Sequence, residues 1–254
     1  MNINRTARRA ARTNPFRALA AAAVVLAMSA VSASAQQAAS TGTGSGTGKE
    51  ITIEELFLKS VEFQILREKA FAEDYDLKMN ALDDVEKKLA DGSYAPGDPQ
   101  VEFVLEYLAM EGSGHTTREN RHLINDFPEV RRRAAGMLGR LGTDQAKDAL
   151  VRVILIDDEP MVKAEAAYGL GLIGKNPDNQ VVQALEFVYN QQDPTKPDNN
   201  FGYALCLAIE KLAQKAPIKD PSAYQMLVKI AQGNYLRTVK NKALQVLDVL
   251  QSSK

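Results

Sequence analysis

The chain has 254 residues, enough for one ordinary domain or one elongated array, and its 45% hydrophobic and 25% charged content is that of a folded protein and not a disordered one. Its formal net charge of −1 excludes the strongly basic balance that nucleic acid or an anionic membrane surface demands of a partner. A single cysteine, Cys206, excludes an intramolecular disulfide.

The first residues read as an export signal. Arg5, Arg8, Arg9, Arg12 and Arg17 make a basic start, an Ala-rich apolar run extends from Ala18 to Ala33, and Ala33-Ser34-Ala35 fits the small-x-small cleavage rule. Cleavage is expected after Ala35, giving a periplasmic or secreted protein. An uncleaved anchor is the competing reading, but the run is short and mostly weakly hydrophobic alanine. Loss of residues 1–35 removes five arginines and no acid, so the net charge goes from −1 to −1 − 5 = −6. Residues 36–50, QQAASTGTGSGTGKE, are Gly/Ser/Thr-rich and predict a flexible linker.

Thr52 and Glu55 have capping-box spacing, and the segment 51–73 is predicted to be an N-terminal cap helix with much of its surface buried. Leu77, Ala81, Leu82, Val85 and Leu89 recur at helical spacing, and Asp91-Gly92 ends that run. Asp98-Pro99 supplies a helix start, followed by Val101, Val104, Leu105 and Leu108. Residues 111–124 are polar and contain both histidines, His115 and His122, and predict an irregular insertion with a surface role for the histidines.

Two near-copies follow. VRRRAAGMLGRLG at 130–142 and VKAEAAYGLGLIG at 162–174 are each preceded by a D-x-P-x-V start, Asp126 to Val130 and Asp158 to Val162. Val130, Ala134, Leu138 and Leu141 line one face; Val162, Ala166, Leu170 and Ile173 repeat it. Gly139 and Gly171 permit close helix approach, and Gly142 and Gly174 are natural helix stops. A second helix is expected after each, over 144–156 and 179–189, although ALVRVILI at 149–156 read alone also suits a buried strand. The stripe returns at Phe201, Leu205, Ile209 and Leu212, then at Ala223, Leu227 and Ile230 after Asp220-Pro221. Last come Val239, Ala243, Leu247 and Leu250, in a helix expected to close the array.

The spacings 162 − 130 = 32, 201 − 162 = 39 and 239 − 201 = 38 are those of helical-pair arrays. The two central copies resemble HEAT repeats of the phycobilisome-lyase-like type, specifically over 126–174 and loosely over 74–251. The resemblance implies an all-α fold, a short α-solenoid of HEAT-like helix pairs wound as a right-handed superhelix, with second helices lining a concave face used for protein contact.

The chemical motifs are weak. Gly169 to Gly174 matches G-x-G-x-x-G, but a helical pattern precedes it and Asn176-Pro177 follows, the inverse of the context a phosphate needs. Deoxyhypusine hydroxylase, an enzyme on similar repeats, holds iron through His-Glu motifs, and this chain has no His-Glu dipeptide. Arg131, Arg132 and Arg133 spread around a helix and are expected to be solvated or paired with neighbours. Asp157-Asp158-Glu159 suits a helix start, where carboxylates meet the dipole. No catalytic residue, cofactor, nucleotide or metal site is assigned. The expected role is a non-enzymatic, exported adaptor holding another envelope or periplasmic protein, with Gln183, Glu186 and Lys229 as candidate contacts on second helices. A lyase-type or other accessory enzyme, and a structural stabiliser of an envelope assembly, are the alternatives.

Overall fold

The computed structural model describes residues 52–252; the expected signal segment and linker lie outside them. Among the described residues are ten α-helices: α1 (Ile53–Phe71), α2 (Tyr75–Ala90), α3 (Pro99–Ala109), α4 (Pro128–Leu141), α5 (Asp144–Ile156), α6 (Pro160–Ile173), α7 (Gln180–Asn190), α8 (Asn199–Lys215), α9 (Pro221–Gln232) and α10 (Arg237–Ser252). They pack serially in two layers. α2, α4, α6, α8 and α10 lie side by side in the first layer, and α1, α3, α5, α7 and α9 in the second. This is an α-solenoid, in which each helix pair covers the apolar flank of its neighbour.

Local chemistry sets the helix ends. Thr52 and Glu55 form a reciprocal capping box on α1, Glu55 N–H donating to Thr52 Oγ1 at 3.2 Å. Asp98, Asp198 and Asp220 cap α3, α8 and α9, each accepting a backbone N–H of the first turn. Pro128 and Pro160 occupy first turns that need no donor. Gly142 and Gly174 end α4 and α6 in the left-handed conformation, at φ 75° and 72°. The 149–156 run is the body of α5, because its branched residues Val151, Val153 and Ile154 fill the space between layers.

The stripes expected from spacing in α3, α4, α6 and α8 are all buried. Gly139 and Gly169 bring α4 and α6 into backbone contact: a Cβ on Gly139 would lie 2.6 Å from the Gly169 Cα. On the other flank of α6, a Cβ on Gly171 would lie 2.7 Å from the Ala208 Cα of α8. The G-x-G-x-x-G string therefore sits inside and at the end of a helix, as a packing device on both sides of α6.

Three expectations need correction. α1 is not largely buried: Leu66 and Ala70 meet the body, whereas Ile53, Leu56, Phe57, Leu58, Val61 and Ile65 are exposed. Its apolar residues run round the helix instead of along one stripe, and among the described residues its main helix neighbours are α2 and α3. In α2 the inward position falls to Lys78 and not to Leu77, which is 40% exposed beside Val61 and Ile65. The 111–124 insertion is not irregular throughout. Arg118–Glu119 (β1) pairs antiparallel with His122–Leu123 (β2), and Asn120 and Arg121 make the turn at positive φ.

Candidate partner-binding surfaces

The buried stripes align the second-layer helices with one another. Val101, Ala146, Val181 and Ala223 open equivalent stripes in α3, α5, α7 and α9. Counting on from them, Phe103, Asp148, Gln183 and Gln225 occupy one solvent-facing row. Arg152, Phe187 and Lys229 form another, with the half-buried Tyr107 at the equivalent place in α3, and Glu186 lies between, equivalent to Val228. The three candidate contacts thus share the outer face of the second layer. Gln183 is exposed and its side chain lies near Asp220 at the start of α9; Glu186 is half-buried; Lys229 is exposed. Asp220 is held below the usual carboxylate range by the backbone and side chain of Ser222 and by Gln183. Polar clasps tie adjacent helices of this face: Arg152 pairs with Glu106, and Lys229 Nζ donates to Asn190 Oδ1 at 3.2 Å.

The first layer offers a different surface. Its seams carry charge pairs, Arg133 to Asp83 and Glu86, Arg132 to Glu165, and Lys242 to Glu210. Between α6, α8 and the start of α10 lies a groove of about 470 Å3, with Met161, Tyr168, Tyr203 and Leu236 along it. At the N-terminal end of the stack, α1 presents its uncovered apolar residues, Ile53 being 83% and Phe57 67% exposed.

Charged residues at the centre of the molecule do structural work that spacing did not reveal. Of the two expected states, solvated or paired with neighbours, Arg131 takes the second, and it does so buried. It donates to Asp157 Oδ2 at 2.6 Å, to Asp126 Oδ1 at 2.7 Å and to the Glu111 carbonyl at 3.0 Å. Asp157 is likewise not an exposed helix-start acid. It closes the C-terminus of α5, is 1% exposed, and accepts the Glu159 N–H at 2.9 Å. Arg132 and Arg133 are neighbour-paired as expected.

Beside this knot, Lys78 and Glu111 form a buried ion pair at 2.9 Å, their side chains 1% and 2% exposed. Lys78 Nζ also donates to the Ala70 carbonyl at 3.0 Å, and Asn125 Nδ2 donates to Glu111 Oε1 at 2.7 Å. Asn125 in turn accepts the Thr117 N–H at 2.8 Å, which fastens the base of the hairpin. His115 stacks on Tyr107 at 5.2 Å, and both histidines are exposed. Cys206 is buried in α8, and desolvation pushes its thiol up to about 12. Among the described residues no group of three or more His, Cys, Asp or Glu is placed to hold a metal ion, and no helix is long and apolar enough to cross a membrane.

Fold and surfaces together define a helical-repeat protein, an all-α solenoid whose exposed faces are rows contributed by successive helices. Residues 121–196, from the hairpin turn through α4 to α7, match the family model for HEAT repeats, which supports a HEAT-repeat protein. No curated protein matches the chain.

Proposed function

We propose that the protein is an exported adaptor that holds another envelope protein, built on HEAT repeats of the phycobilisome-lyase-like type. The observation that carries this reading is the bare face of α1. Six large apolar side chains stand exposed on one helix, whereas apolar side chains on a monomer's surface are ordinarily scattered singly. The repeat match supports it, since arrays of this kind serve as extended binding surfaces. Export rests on the basic, Ala-rich start and on Ala33-Ser34-Ala35; N-terminal sequencing of the native protein should begin at Gln36.

The test compares the native chain with a Phe57→Glu/Ile65→Glu double variant by crosslinking in its own envelope and by light scattering. A stoichiometric partner lost in the variant supports the adaptor. A concentration-dependent dimer lost in the variant supports instead a stabiliser that works by self-association, the second use such a face would serve. A lone monomer without a crosslinked partner defeats both.

A further inference from the structure

A cleft of about 410 Å3 opens where α7 and α9 end and the loops after them begin, within the range typical of ligand sites. Its walls include Tyr189, Asn190, Gln192, Lys229, Gln232 and Tyr235, and no carboxylate. On a chain whose charge after cleavage would be −6, a cleft whose only charge is a lysine stands apart.

Two groups in it lack their natural complement. Lys229 Nζ lies 3.2 Å from Asn190 Oδ1 and 6.0 Å from the Tyr189 ring centre, and among the described residues no acid pairs with it. Tyr235 is 7% exposed, and its hydroxyl oxygen accepts from Gln192 Nε2 at 3.3 Å. The Gln192 amide is oriented by its other end, where Oε1 accepts the Asp198 N–H at 3.2 Å. The hydroxyl hydrogen of Tyr235 therefore meets no acceptor among the described residues. Burial, with Tyr189 close by, raises the Tyr235 pKa, so the hydroxyl stays protonated and remains a donor.

A donor at the wall of a cleft can turn to water when the cleft is empty, and a ligand acceptor can take that place. The exposed amides of Asn190 and Gln232 add further donors. Donors without a carboxylate suit an anion and not a metal cation. The rings of Tyr189 and Tyr235 offer apolar contact for the side chains beside that anion.

We propose that this cleft binds a carboxylate-bearing peptide segment, with Lys229 pairing with the carboxylate and Tyr235 donating its hydroxyl hydrogen to a peptide acceptor. The proposal deepens the adaptor reading and rests on it for the ligand being a protein segment. It concerns a surface separate from α1, so each can fail alone.

The test titrates the isotope-labelled full chain, followed by NMR, with three peptides: acetyl-Ala-Leu-Ala with a free C-terminus, the same peptide amidated, and amidated acetyl-Ala-Glu-Ala. One or both charged peptides should bind about tenfold or more tighter than the neutral one, the gap expected for a charged hydrogen bond. Binding of the free acid alone identifies a chain terminus as the ligand; binding of the glutamate peptide identifies an acidic side chain. Lys229→Gln and Tyr235→Phe should each weaken the charged peptide about tenfold, the latter keeping the ring and its packing. Equal binding of the neutral peptide, absence of binding, or unchanged affinity in folded Lys229→Gln would overturn the proposal.

Discussion

The two sides of α4 are held by opposite chemistries. Toward α6 the contact turns on small residues, Gly139 and Gly169 letting two backbones touch, with the Arg132–Glu165 pair at its partly exposed edge. Toward the end of α5 and the hairpin segment the contact is ionic, with Arg131, Asp157 and Glu111 all buried and Glu111 paired in turn with Lys78 of α2. A seam of glycines fixes spacing between identical units and can be copied from one pair to the next. The polar knot is directional and holds one shape, which is what a non-repeating insertion requires. The difference teaches that regular and irregular parts of this array are fastened by different means.

The largest effect is expected at the knot. Glu111→Ala leaves the Lys78 ammonium buried without a counter-charge, facing the Ala70 carbonyl and the Tyr107 ring, and breaking such a pair costs about 3–5 kcal/mol. Chemical denaturation should show that loss. A Lys78→Met/Glu111→Gln double variant removes the charge and keeps an acceptor for Asn125, and should recover most of it.

The glycine seam should respond by position. At Gly139 the new methyl meets backbone, so overpacking of about 1–3 kcal/mol exceeds the gain of about 1 kcal/mol from replacing glycine in a helix. Gly139→Ala therefore loses up to about 2 kcal/mol of stability in denaturant titration. At Gly136 the methyl meets the Glu165 carboxylate at 2.8 Å, a flexible end that can swing away. Gly136→Ala should be neutral or stabilising by up to about 1 kcal/mol. Equal losses at both sites would mean that the seam is not set by backbone contact. Gly142→Ala comes next: nothing stands within 4 Å of the added methyl, so the cost is the left-handed backbone alone, about 1 kcal/mol in the same measurement.

What the sequence made legible follows from the same contrast. Repetition exposed the glycines, prolines and stripes of α4 to α9, because each position is read more than once. The knot carries no such signal, since Lys78 and Glu111 stand 33 residues apart and meet once. Arg131 could have been suspected: it lies one turn before Ala135 on a face that is otherwise apolar. The bare face of α1 escaped because an apolar helix reads as buried until its neighbours are known. Spacing assigned Gln183, Glu186 and Lys229 to second helices but not to a face; their common outer face follows from the buried stripes. The cleft beside Lys229 depends on Tyr235 and Gln192, which come from two loops separated by 43 residues.

The smallest effect is expected where charge lies on the surface of the first layer. Arg133 reaches Asp83 at 2.8 Å and Glu86 at 3.1 Å, while Arg140 shares Glu86 at 3.0 Å. These acids are half-exposed, so water and salt screen the pairs, and side-chain ordering offsets part of the attraction. Arg133→Ala should therefore cost under about 1 kcal/mol in low salt, and the loss should fade near 1 M, where the screening length is about 3 Å. A loss of the size expected for Glu111→Ala, unchanged by salt, would place Arg133 with the buried knot. The α2–α4 seam would then be ionic like its neighbour. The small, salt-sensitive result assigns that seam to Ala81, Leu82 and Val85 instead, the same kind of apolar stripe that carries the rest of the array.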